Sequence, residues 1–229
     1  KAIMLTQDSL QFLDDLKGNN NRDWFIANKK RYDVFKADYH QMVARFLEAM
    51  KPLDPSLGML EVKNCTFRIN RDIRFSKDKS PYKSHIGVWL SSGAKGNNRA
   101  GYYVHIERGA SFIAGGFYAP LPDDLKKVRK EIAFFHEDLE AILDDKKFKK
   151  EFGTFARNEK TALKNPPRGY DKEHPAVELL KLKSFEVMQQ FDINEITQEN
   201  FVQEKVKKLL LLKPLNEFMN RALEVEENF

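Results

Sequence analysis

Cys65-Thr66-Phe67-Arg68-Ile69-Asn70-Arg71-Asp72-Ile73-Arg74-Phe75 is the stretch in which the sequence changes its period. Apolar Phe67, Ile69, Ile73 and Phe75 alternate there with Thr66, Arg68, Asn70, Asp72 and Arg74. A period of two predicts a strand with two unlike faces. Ser76 to Tyr82, with its Asp, Ser and Pro, reads as a loop, and His85 to Leu90 as a second strand. Tyr102 to Glu107 and Ser111 to Tyr118 predict a third and fourth strand, joined as a hairpin around Gly109. Connections this short make an antiparallel meander.

On either side the period returns to that of helices. Thr6 is a candidate N-cap ahead of Leu10, Phe12, Leu13 and Leu16, Gly18 is a stop, and Asn19-Asn20-Asn21 is a turn. A long helix is expected from about Asp23 to Met50, because Trp24, Tyr32, Phe35, Tyr39, Met42, Phe46 and Met50 recur at three- and four-residue steps. That stripe is core rather than a stacking platform, since its spacing is amphipathic. Pro52 and Pro55 end it. Pro122 followed by Asp123 and Asp124 starts another helix. Short helices are expected over His136 to Asp144 and Pro175 to Lys181, and Phe185 to Phe191 as one more strand. The last 30 residues read as helix, divided or kinked at Pro214. The expectation is an α+β fold in a single domain, 1–229. Its antiparallel sheet is built mainly from the central segment and covered by N- and C-terminal helices.

Composition narrows the class. The chain has 229 residues, and its 18 Phe argue against disorder, because disordered chains are poor in aromatics. The longest apolar run, Leu209 to Leu212, is far short of the roughly 18 residues of a membrane span. A single cysteine, Cys65, makes no internal disulfide and reads as a small buried hydrophobe. No charged-then-apolar leader opens the sequence given, and a soluble, cytoplasmic protein without a membrane partner is expected.

The charge is concentrated. Arg68, Arg71, Arg74, Lys77, Lys79 and Lys83 stand against Asp72 and Asp78, which leaves +4 within 16 residues and +1 for the other 213. A nucleic-acid coater spreads its charge along a face or a tail. On a strand, Arg68, Asn70, Asp72 and Arg74 would share a face, so Asp72 would orient the Arg74 guanidinium. Arg71 would point to the other face, where it needs a carboxylate, carbonyls or a ligand. Arginine's planar fork grips phosphate or carboxylate with two bonds, whereas lysine is a mobile point charge. The plain alternative is that these arginines pair with acids of the flanking helices.

The run Arg71-Asp72-Ile73-Arg74-Phe75-Ser76-Lys77-Asp78-Lys79-Ser80-Pro81-Tyr82-Lys83 closely resembles the signature of a bacterial and fungal family of conserved hypothetical proteins, domain of unknown function 2461. Asn20-Asn21-Arg22-Asp23-Trp24-Phe25 resembles its opening, Gly115-Gly116-Phe117-Tyr118 its middle, and Pro167-Arg168-Gly169-Tyr170 with His174-Pro175 its later motif. The resemblance implies kinship along most of the chain, and no activity, cofactor or partner.

Other signals are weaker. His40, His85, His105, His136 and His174 show no zinc-site spacing. His105 and Glu107 share a strand face, the nearest approach to a metal pair, but no third ligand is evident, so neither metal nor cofactor is expected. His105 is a candidate general base if it faces the cations. Gly93-Ala94-Lys95-Gly96 lacks P-loop spacing and reads as a flexible hairpin loop. Pro166 to Tyr170 is a rigid stretch presenting Arg168, a binding loop or a plain connector. The first reading is therefore a binder of, or an enzyme on, a small phosphorylated or otherwise anionic ligand. Its site residues are Arg68, Arg71, Asp72, Arg74, Lys77, Lys79, Tyr82, Lys83, His105 and Arg168, with Tyr82, Tyr103 or His105 as proton donors. The alternative is a nucleic-acid module using the same cations, and the third a domain that meets an acidic protein. Catalysis and oligomeric state stay open.

Overall fold

The computed structural model describes residues 5–96 and 98–224. Four helices come first: α1 (Gln7–Gly18), α2 (Arg22–Ala27), α3 (Lys29–Met50) and the single turn α4 (Val62–Cys65). Strands β1 (Ile86–Leu90), β2 (Gly101–Ile106) and β3 (Phe112–Phe117) follow. Then come α5 (Pro122–Asp144), α6 (Lys146–Phe152), α7 (Val177–Leu180), β4 (Phe185–Gln190), α8 (Phe201–Leu209) and α9 (Lys213–Glu224). The strands form one antiparallel sheet in the order β1-β2-β3-β4, so the fold is α+β as the periods predict. Among the described residues no helix is long and apolar enough to cross a membrane. Asn97, in the loop expected after β1, and residues 225–229 of the expected last helix lie outside the described residues.

Residues cluster into two compact units. The first gathers the chain up to Leu90 with Tyr103–Ile113 and Gln190–Lys207; the second gathers Ser91–Tyr102, Ala114–Gln189 and the chain from Lys208.

In the first unit, the Thr6 side chain accepts the Ser9 N–H at 3.1 Å and starts α1. Leu10, Phe12, Leu13 and Leu16 of α1 are buried, as are Phe35, Tyr39, Met42, Val43 and Phe46 of α3, and the rings of Phe12 and Phe35 lie 5.2 Å apart. Each such side chain contributes about 1.5–3 kcal/mol by leaving water. The helix expected from Asp23 to Met50 is two helices, because Asn28 leaves the helical region (φ −106°, ψ 18°) and its side-chain amide donates to the Trp24 carbonyl at 2.9 Å. Asparagine competes for backbone partners in this way, which is why it interrupts helices. Past α3, α4 ends on the fully buried Cys65.

The strand expected from Cys65 to Phe75 is absent, and Cys65 itself is the last residue of α4. Within that stretch only Asn70 pairs as in a sheet, through an isolated antiparallel bridge to Tyr82. The chain turns at 73–76, where the Ser76 N–H reaches the Ile73 carbonyl at 3.3 Å. Asp72 accepts the Arg74 N–H at 3.3 Å, and Asp78 accepts the Ser80 N–H at 2.9 Å and its hydroxyl at 2.6 Å. Short carboxylates that capture local N–H groups compete with a ladder, and here they make turns. Phe75, placed on a core face by the alternation, is 96% exposed.

In the second unit α5 packs on α9. Val128, Ile132 and Leu139 are buried on α5 and Leu215, Phe218, Met219 and Ala222 on α9. Arg221 Nε donates to the buried Glu131 carboxylate at 2.7 Å. The separate helix expected at His136–Asp144 is the second half of α5, beyond a kink at Phe135 (φ −127°, ψ 30°). Asn216 accepts the Gly116 N–H at 2.9 Å, and a Cβ on Gly116 (φ +101°) would fall 2.0 Å from the Phe185 carbonyl oxygen, so only glycine fits. Just before β2, Asn220 of α9 accepts the Ala100 N–H at 2.8 Å and donates to its carbonyl at 3.2 Å.

Candidate functional site

The basic segment is a loop pinned at its base. Around the Asn70–Tyr82 bridge, the Arg71 N–H donates to the Pro81 carbonyl at 2.9 Å and the Lys83 N–H to the Ile69 carbonyl at 2.8 Å. That pattern turns the N–H and C=O of Tyr82 to the other side, where Asn20 takes both, accepting at 3.0 Å and donating at 2.8 Å. Asn20 comes from the turn between α1 and α2 and stands in for a third strand, one residue long. The Tyr82 ring is buried and stacks on Phe25 with centroids 4.2 Å apart. Tyr82 is thus an anchor of the loop.

The cations divide into those held by the loop and those left over. Arg71 Nη1 donates to the Asp78 carboxylate at 2.9 Å and the Ser80 carbonyl at 2.8 Å, the carboxylate and carbonyls its position demands. Arg74 grips Asp72 with two bonds, Nε at 3.0 Å and Nη2 at 2.7 Å, so Asp72 does orient this guanidinium, across a turn instead of along a strand. Those bonds hold the Asp72 carboxyl below its usual range. Both pairs are open to water and add little to stability. Lys79 donates to the Ile73 carbonyl at 2.9 Å, and Lys83 to the Arg68 carbonyl at 2.7 Å, its ammonium lying over the Phe67 ring. Arg71 and Arg74 pair with acids of the loop itself, and among the described residues Arg68, Lys77 and Lys79 make no ion pair.

Two residues past Lys83, His85 enters a half-buried group of side chains. Its ring lies 4.7 Å from that of His105 on β2, and the His105 ring stacks on Phe112 at 4.8 Å. His105 Nδ1 is 2.8 Å from the Tyr103 hydroxyl, and Nε2 is 2.8 Å from Glu107 Oε2. An ionised carboxylate only accepts, so His105 Nε2 donates to Glu107, and in the neutral ring Nδ1 accepts from the phenol. Tyr103 fits because Gly87 on β1 has no side chain: a Cβ there would lie 2.7 Å from the phenol oxygen and ring. The same Gly87 offers its carbonyl to the buried Tyr39 hydroxyl, which also accepts the Phe67 N–H at 3.1 Å. Burial pushes the His85 imidazole below its usual value; His105 adds to this, Glu107 opposes it, and Lys83 and Arg71 add further. The loop cations and the imidazole pair therefore share one electrostatic neighbourhood.

Of the residues singled out by sequence, this unit holds Arg68, Arg71, Asp72, Arg74, Lys77, Lys79, Tyr82, Lys83 and His105. Arg168 belongs to the second unit, exposed in the turn where the Tyr170 N–H meets the Pro167 carbonyl at 3.2 Å. Sequence reasoning passed over His85 and Gly87. The available signal was the histidine at the head of a strand, two residues past Lys83; the β1–β2 register that sets it on His105 is not written in local periodicity. The ligating atoms of His85, His105 and Glu107 all lie within 4.8 Å of one another, a set able to hold a metal ion.

The chain belongs to the conserved hypothetical protein family DUF2461, whose family model matches residues 8–218, a span that contains every residue of this site. No curated protein and no solved structure matches the chain.

Proposed function

We propose that the first unit binds a small anionic ligand, bearing phosphate or carboxylate, through the 68–83 loop beside the His85–His105 pair. The observation that carries this reading is the surplus of positive charge: Arg68, Lys77 and Lys79 make no ion pair among the described residues, while the loop's two acids are already engaged. A carboxylate- or phosphate-bearing ligand supplies the missing countercharge, and the loop's Asn20 clamp keeps the base of the site in place. His105, held between Tyr103 and Glu107, gives such a site a positioned proton-transfer group, worth about 10²–10⁴ in rate where it acts as a general acid or base.

A second reading rests on Phe75. This ring is 96% exposed at the loop tip, with the Arg74 guanidinium 5.8 Å from its centroid and Lys77 two residues on. An exposed aromatic among cations is how single-stranded nucleic acid is stacked and neutralised. Titration separates the readings. Inorganic phosphate, pyrophosphate and citrate are expected to raise the melting temperature, and the combined Arg68→Ala, Lys77→Ala, Lys79→Ala variant to lose that response. Single-stranded oligonucleotide binding that engaged six cations would instead show a log–log salt slope of about −4 and weaken on Phe75→Ala. Tight oligonucleotide binding with that slope, and no response to the small anions, would overturn the first reading in favour of the second.

A further inference from the structure

We propose that His85, His105 and Glu107 form a binding site for a divalent transition-metal ion of the zinc class. This inference does not rest on the anion reading: with an ion bound, His105 serves as its ligand and not as a proton-transfer group. It reverses the expectation drawn from a sequence in which no third ligand is evident. Sequence supplies His105 and Glu107 two residues apart; the fold supplies His85 from the neighbouring strand.

The donor set comes first. Two imidazole nitrogens and one carboxylate oxygen make up the ligand set of open, catalytic-type zinc sites and of two-histidine, one-carboxylate iron sites. Imidazole disfavours magnesium and calcium, which take oxygen ligands. Donors 2.0–2.2 Å from a tetrahedral ion stand roughly 3.4 Å from one another. Here all three lie within 4.8 Å of one another, and His105 Nε2 and Glu107 Oε2 are already 2.8 Å apart. Closing the rest takes side-chain rotation at His85, which sits just outside β1.

Unused capacity comes second. Among the described residues neither ring nitrogen of His85 has a hydrogen-bond partner, although the residue is half-buried against the His105 ring. Hydrogen bonding explains the placement of His105, which Tyr103 and Glu107 satisfy, and leaves that of His85 unexplained. A shared ion accounts for both.

The support around the ligands comes third. A ligating histidine usually turns its second nitrogen to an oxygen that fixes ring and tautomer. Tyr103 is in that position, 2.8 Å from His105 Nδ1. With the ion on Nε2, the proton moves to Nδ1, which then donates to the phenol oxygen. Gly87 leaves the space in which that phenol stands. The nearby cations are already engaged, Arg71 by Asp78 and Lys83 by the Arg68 carbonyl. With neutral imidazoles and one carboxylate, a divalent ion keeps a net charge of +1 and at least one open coordination position.

The test uses the full chain, free of any affinity tag and dialysed against a chelator, titrated with cobalt(II) in phosphate-free buffer and read by visible absorption, with zinc(II) as competitor. One equivalent is expected to bind with the intense bands of a four- or five-coordinate ion, displaced by zinc and not by magnesium. His85→Ala and the near-isosteric Glu107→Gln are each expected to weaken uptake by more than about tenfold, and Tyr103→Phe by roughly tenfold. The combined Arg68→Ala, Lys77→Ala, Lys79→Ala variant is expected to bind cobalt as the parent does, which separates this site from the anion response. Circular dichroism in chelator checks that each variant is folded. Absence of stoichiometric uptake by the folded parent, or uptake unchanged in folded Glu107→Gln and His85→Ala, would overturn the proposal.

Discussion

Asn20 and Asn220 each turn a side-chain amide edge-on to one backbone residue, accepting its N–H and donating to its carbonyl, the first at Tyr82 and the second at Ala100. Their surroundings differ. Ala100 leads directly into β2, so Asn220 lengthens a ladder that exists without it. Tyr82 belongs to no strand, and its bridge to Asn70 stands alone. There the amide replaces a missing strand. The same two hydrogen bonds serve global stability where a sheet is present and local order where it is not.

The largest effect should come from Asn220→Ala. Ala100 is buried, and its N–H left unpaired costs about 1–3 kcal/mol, whereas its carbonyl keeps the Ser91 hydroxyl at 3.1 Å. Chemical denaturation should show a shifted midpoint at unchanged slope. Asn20→Ala removes the equivalent bonds at an isolated bridge outside any strand, where the released segment can turn its groups to water and each bond is worth about 1 kcal/mol. Its signature should be local: hydrogen exchange at the Arg71 and Lys83 amides should quicken to that of an open loop. If Asn20→Ala instead lowers stability as much as Asn220→Ala with those amides still protected, the comparison fails.

Gly87→Ala sharpens the picture within the first unit. The added methyl must displace the Tyr103 ring, and overpacking of this kind costs about 1–3 kcal/mol. Because the displaced atoms are the far end of a side chain, the fold should survive while the cobalt spectrum of the His85–His105–Glu107 group changes.

The smallest expected effects concern pH. Asp72 has its pKa lowered by bonds from Arg74, so its contribution to stability is present above the unfolded value of 3.8 and lost as pH falls through the lower folded value. Glu186 on β4 runs the other way. Burial raises its pKa, so above the unfolded value of 4.5 the folded state holds more protons and stability falls as pH rises. Glu186→Gln should therefore stabilise the protein at neutral pH and change nothing below pH 4.5, whereas Asp72→Asn should weaken it slightly at neutral pH. Thermal melts across that range check both signs.

Features governed by neighbours in sequence were legible. The Thr6 cap, the Pro122-Asp123-Asp124 helix start and the spans of β1, β2 and β3, with the hairpin at Gly109, are decided within a few residues. The need of Arg71 for a carboxylate and carbonyls was equally readable, since it follows from charge. Thr66 to Phe75 misled because alternation is only necessary for a strand; a strand also needs a partner along its length. Asp72 and Asp78 redirected that chain into turns. The interruption at Asn28 and the pairing of His85 with His105 depend on capping detail and on register, which binary patterns do not encode.

Cys65 closes α4 three residues before Arg68, with no surface open to solvent. As the sole sulfhydryl of the sequence, it is a built-in timer for the segment that leads into the basic loop. A disulfide reagent reaches it only when that segment opens. Its reaction rate, divided by that of an unhindered thiol, gives the fraction of time the segment spends open, with no engineered probe. Run with and without phosphate or cobalt, the same clock shows whether occupying the loop or the imidazole pair tightens the chain beneath them.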